Sequence, residues 1–97
     1  MSRIAPTVHT DPARIAALEA LLPLLPDLAR VQLQLSDGRR LLGTVAVRPT
    51  VQQYRNADGG EGTNGQLRLD DLDDPTHQHE VWLDSIVEVR ELPPRQL

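Results

Sequence analysis

Asp70, Asp71, Asp73, Asp74, His77, His79 and Glu80 crowd metal-ligating side chains into one short run. Carboxylate oxygens suit calcium or magnesium, and a His-x-His pair suits zinc or nickel. The spacing does not build the calcium loop, which needs alternating acids, a glycine and a distal glutamate. A His-x-His pair in a loop chelates weakly unless further ligands are fixed. The run is therefore expected to be a solvated acidic loop, with no metal and no cofactor. Catalysis finds no better material. Ser36, Ser85 and the threonines have no histidine at a suggestive spacing, and His9, His77 and His79 fall in arm or loop. The carboxylates sit in an exposed run where nothing would shift their titration. Gly59, Gly60, Gly62 and Gly65 lack the Gly-Lys-Ser/Thr and following helix of a phosphate loop. No catalytic residue is assigned, and the chain is expected not to be an enzyme.

Two aromatic positions carry the remaining chemistry. Tyr54 stands with Arg48 and Arg55 in the chain's basic-aromatic cluster. Such a group can hold a single strand, with arginines on phosphates and a ring on a base. An ordinary solvated strand is the plainer alternative. Trp82 alternates with Val81 and Leu83, on the face shared with Glu80 and Asp84. That position offers a surface for a base or a partner subunit, or a ring covered by the N-terminal helix or a second packed side of a bent sheet.

Composition narrows the class. The chain has 97 residues, a formal charge of −4, no cysteine and no phenylalanine. One domain with an aliphatic core of Leu, Val, Ile and Ala is expected, without disulfides or thiolate chemistry. All the basic side chains are arginine. Residues 28–56 carry Arg30, Arg39, Arg40, Arg48 and Arg55 against Asp37, whereas residues 57–91 are strongly acidic. A net negative chain argues against nonspecific polyanion binding but permits a basic face. No apolar run approaches a membrane span, and no apolar region follows the opening Met-Ser-Arg-Ile-Ala-Pro. The expected compartment is the cytoplasm.

These side chains need elements to position them. Residues 1–9 read as a flexible arm. Thr10 or Asp11 can cap a helix over 10–23, with Pro12 in the first turn. Ile15, Leu18, Leu22 and Leu25 form its apolar stripe, and Pro23 and Pro26 stop it. Val31, Leu33 and Leu35 alternate along a strand over 30–36. Asp37-Gly38 makes a tight turn into a second strand, which starts near Arg40, continues past Val47 and carries Gly43 where it can bend. Residues 49–65 are mostly turn chemistry around a long hairpin with a mobile tip at 57–65. Further strands are expected at 66–70, 80–84 and 86–92, ending at Pro93-Pro94 with a tail over 93–97.

Taken in order, Val31, Leu33, Leu35, Asp37-Gly38-Arg39, Leu41, Gly43, Val45, Leu67-Arg68-Leu69, Asp70-Asp71 and Asp84-Ser85-Ile86-Val87 resemble the motifs of the Sm and Sm-like family, including its bacterial Hfq branch. The likeness covers about residues 12–92 and implies a mostly β fold. Its form would be a short N-terminal α-helix and a strongly bent, five-stranded antiparallel Sm-like (SH3-like) small barrel over 30–92. It also implies single-stranded RNA as a partner, bound between the second and third strands. The family's aspartate position there falls near Pro49 and its asparagine position at or near Gln66, with about a dozen residues inserted between. The family's Arg-Gly element is replaced by Trp82-Leu83. On this divergent bacterial branch, with the usual Sm RNA-site residues largely missing, Gln66 at the family's asparagine position joins the Arg48, Tyr54 and Arg55 cluster as the candidate nucleic-acid contacts. Sm subunits pair their last two strands, so it also implies a homo-oligomer or other protein interface at Trp82, Asp84, Val87 and Val89.

Overall fold

The computed structural model describes residues 3–93. One short helix, α1 (Pro12–Glu19), is followed by a 3-10 turn at Leu22–Leu24. Seven strands accompany them: β1 (Arg3–Ile4), β2 (Arg30–Leu35), β3 (Arg40–Val47), β4 (Val51–Arg55), β5 (Glu61–Asp71), β6 (Gln78–Trp82) and β7 (Ile86–Glu91). A second 3-10 turn, Leu83–Ser85, separates β6 from β7. The strands run in the order β1-β4-β5-β3-β2-β7, with β6 on the other edge of β5. The sheet is open, where the sequence predicts five barrel strands.

The extra strands have a physical cause. Pro49 offers no backbone donor, so the long second strand breaks into β3 and β4. Arg48 N, next to the break, donates instead to Asp27 Oδ1 at 2.5 Å. The inserted residues 49–65 form the β4–β5 hairpin, with Val51 opposite Gly65 and Arg55 opposite Glu61. Its tip is shorter than the 57–65 expected, because Asn56 Oδ1 accepts from the N–H groups of Asp58 and Gly60. Residues 62–65 are buried strand, not tip. β5 therefore begins five positions earlier than the sequence predicts and binds β4 with one half and β3 with the other.

The alternation along the other strands holds up to two register shifts, which leave Val47 at the end of β3 and Val87 in β7 exposed. Val31, Leu33, Leu35, Val45, Leu67, Leu69, Val81, Leu83 and Ile86 are buried in one core with Leu18 and Leu25. Full burial of each such side chain contributes about 1.5–3 kcal/mol. Gly38 turns the β2–β3 hairpin at φ 91°. A Cβ on Gly43 would meet Asp70 O at 2.7 Å, so β3 and β5 cross tightly there. α1 is shorter than the 10–23 expected. Asp11 sits at its N-cap without a side-chain cap bond, while Asp11 O accepts from Ile15 N at 3.0 Å.

The N-terminal residues depart most from expectation. Among residues 3–9, Arg3 and Ile4 pair in parallel with Tyr54 and Arg55, and Ala5 N donates to Arg55 O. The chain then crosses the hairpin. Asn64 Nδ2 donates to Thr7 O at 2.8 Å, and His9 exchanges two backbone bonds with Thr63 on the opposite edge of β5. The arm is a strap. Of the tail expected over 93–97, residues 94–97 lie outside the described residues. No described helix is long and apolar enough to cross a membrane.

Candidate functional site

The break at Pro49 opens a cleft of about 430 Å³ between the end of β3, β4, the middle of β5, and β6. Each wall follows from strand periodicity. Gln66 and Arg68 are alternate residues of β5 and point to the same side, opposite Trp82 and Glu80 of β6 in register. Gln52 and Tyr54 are alternate residues of β4 and face the same space. Arg48, Pro49 and Thr50 form the rim at the break, and Arg3 arrives through the pairing of β1 with β4. Three arginines from three separate segments thus surround one hollow.

Their charges are differently committed. Arg68 Nη2 lies 3.7 Å from Glu80 Oε1, and Gln66 Nε2 donates to Glu80 Oε2 at 3.3 Å. Arg3 and Arg48 have no ion pair among the described residues. Of the residues assigned from sequence, Arg48, Tyr54 and Gln66 come together in this cleft. Arg55 does not line it: its Nη2 lies 3.2 Å from Glu61 Oε1 across the hairpin. Tyr54 is only 2% exposed, so its ring cannot serve as an open stacking platform. It meets the Trp82 ring edge-on at a centroid distance of 5.2 Å. Trp82 is half-buried, its ring against that of Tyr54.

Arg3, Gln52, Arg68 and Glu80 escaped the sequence assignment. The outward phase of Arg68 beside Gln66, and of Glu80 beside Trp82, was a usable signal. Nothing local marked Arg3, because its place depends on a pairing with residues fifty positions away.

The interface residues also separate. Asp84 is turned inward to His9, Nε2 to Oδ2 2.9 Å, in the middle of the β6–β7 turn. Val89 packs against the core. Val87 is 66% exposed, although it shares the strand phase of Val89. A register shift causes this: Gln34 pairs Glu88 and Leu35 pairs Ile86, leaving Val87 unpaired on the bulge. The outer edges of β6 and β7 have no partner strand among the described residues.

The acidic loop is tied to itself. Asp71 Oδ2 accepts from the N–H groups of Asp73 and Asp74, and its Oδ1 lies 2.9 Å from His79 Nε2. The bond to His79, with those backbone donors, lowers the Asp71 pKa below its usual value. Asp74 is lowered likewise, first by the Thr76 hydroxyl. The His77 and His79 rings pack edge-on at 4.7 Å. Among the described residues no group of three His, Asp or Glu side chains is placed to hold a metal ion.

Comparison with known proteins agrees with the fold. A family described as a domain of unknown function, DUF3247, matches residues 2–92. A solved protein from Xanthomonas campestris, whose crystal structure is described as adopting a novel variant of the Sm-like motif, is 47% identical. The two superpose with a TM-score of 0.90 over 96% of this chain and 100% of the other. No curated protein matches. The chain therefore belongs to the DUF3247 family, and its fold is a variant of the Sm-like motif.

Proposed function

We propose that this protein is a cytoplasmic RNA-binding module, not an enzyme, that holds single-stranded RNA in the cleft beside Pro49. One observation carries the reading: Arg3, Arg48 and Arg68 converge on a single hollow in an otherwise acidic chain. Arginine forks match phosphate oxygens, and two of the three have no ion-pair partner among the described residues. Pro49 and Gln66, near which the Sm resemblance places the family's RNA-contact positions, both line this cleft. Amides of Gln52 and Gln66 add donors and acceptors for base edges.

The test is fluorescence anisotropy with short single-stranded RNA at low salt. Binding should weaken steeply as salt rises, and the double substitution Arg48→Ala with Arg68→Ala should weaken it and flatten the salt dependence. Absence of any anisotropy change with micromolar protein would end the proposal.

The unpaired outer edges of β6 and β7 favour a second reading, self-assembly by edge pairing between copies. The exposed Val87 lies on one of these edges. Sedimentation distinguishes it: a monomer at high concentration rules out self-assembly and leaves the RNA reading intact.

A further inference from the structure

Within the arginine-lined cleft stands one carboxylate, and it narrows what the cleft can accept. A phosphate is repelled by Glu80, so the part of a strand that meets it must be a base edge rich in donors. Glu80 is free to accept. Its contacts to Gln66 at 3.3 Å and Arg68 at 3.7 Å are both long, and its side chain is more than half exposed. An ionised carboxylate has about four lone-pair sites, most of them open here. Among the bases, guanine alone offers two adjacent donors, N1–H and N2–H, on its pairing edge. Adenine and cytosine each offer an amine beside an acceptor nitrogen, and uracil offers a single N–H. Arg68, beside Glu80, supplies donors that suit the guanine O6 and N7 acceptors.

We infer that the cleft is selective for guanine, with Glu80 accepting from the N1–H and N2–H groups and Arg68 donating to the acceptor edge, while Arg3 and Arg48 hold the flanking phosphates. This rests on the RNA reading above and names the base that the same site takes. Nothing covalent is involved.

The experiment compares a short uridine oligonucleotide with the same strand carrying one central guanosine, adenosine or inosine, by anisotropy at fixed salt with the full chain. The guanosine strand should bind about tenfold tighter than the uridine and adenosine strands, the range of a good two-bond base contact. Inosine, which lacks the N2 amine, should fall between. Glu80→Gln removes a negative charge, so it should tighten binding of the uridine strand while collapsing the guanosine preference to less than about threefold. If Glu80 merely pairs with Arg68 across strands, the variant raises every affinity alike and the preference persists, which overturns the assignment. Equal binding of all strands overturns guanine selectivity and leaves RNA binding standing. No binding of any strand overturns both. The Arg68–Glu80 pair is exposed and adds little to stability, and a thermal melt of Glu80→Gln checks that the variant tested is folded.

Discussion

His9 Nε2 and Asp84 Oδ2 lie 2.9 Å apart and join positions 75 residues distant in the chain. The bond anchors the strap to the turn between β6 and β7, with side chains only 13% and 15% exposed. Asp84→Ala should destabilise the protein by about 1 kcal/mol in urea denaturation. The amides of His9 and Thr63, which close the neighbouring bridge, should exchange hydrogen faster. Unchanged exchange at both would show that the strap is held by its backbone bonds alone.

The strap lies close over Gly62. A Cβ there would meet His9 O at 2.7 Å and His9 N at 3.0 Å, both backbone atoms that cannot swing aside. Gly62→Ala is expected to lift the strap and cost about 1–3 kcal/mol. A variant as stable as the parent, with His9 and Thr63 still protected, would contradict that contact.

Acid should loosen the 71–79 loop. The Asp71 pKa is lowered in the folded protein from 3.8, chiefly by the bond to His79. A lowered carboxylate stabilises the fold fully above the unfolded value, and the contribution disappears as pH falls through the folded one. Asp71→Asn keeps an oxygen for the Asp73 and Asp74 donors but removes the charge. Its melting temperature should lie below the parent's at pH 5 and approach it below the ordinary carboxylate range. A gap independent of pH would refute the role of ionisation.

Leu28 has φ 67° and is 73% exposed at the third position of the Pro26–Ala29 turn, closed by Ala29 N donating to Pro26 O. Left-handed backbone costs leucine about 1–2 kcal/mol and glycine little. Leu28→Gly should raise stability by about 0.5–1 kcal/mol after the glycine's larger unfolded-state entropy is counted. A loss of stability in the same assay would mean that the exposed side chain packs more than its area suggests.

The hairpin supplies an internal control for RNA binding. Arg55 pairs with Glu61 outside the cleft, whereas Arg48 lies on its rim. Under the proposed function, Arg48→Ala lowers affinity and reduces the salt slope by about one, the signature of a lost phosphate contact. Arg55→Ala should change neither by more than about twofold, given its exposed pairing. The opposite ranking would move the contact surface to the far side of the hairpin.

Much of the sheet was legible because period-two burial survives any topology: Val31, Leu33, Leu35, Leu67, Leu69, Val81 and Leu83 all face the core as their alternation predicts. What escaped depends on distant partners. Gly62-Thr63-Asn64-Gly65 has the composition of a turn, yet it is buried strand because the strap covers it. Tyr54 stands among Gln52, Gln53 and Arg55 like a solvated residue, and only the Trp82 ring and the strap strand beside it explain its burial. Val87 follows the phase of Val89 until the bulge opposite Gln34 and Leu35 turns it outward. The cleft was half readable. Arg48 and Gln66 flank the insertion in sequence, but Arg3 reaches it only through three-dimensional closure.

Because the strap's partners are Tyr54, Arg55, Thr63, Asn64 and Asp84, it has nowhere to settle until those distant segments are themselves in place. Closure of such a long loop carries a large entropic toll before any contact rewards it. The strap is thus a late-arriving clasp, and Arg3 joins the hollow only once that clasp has closed.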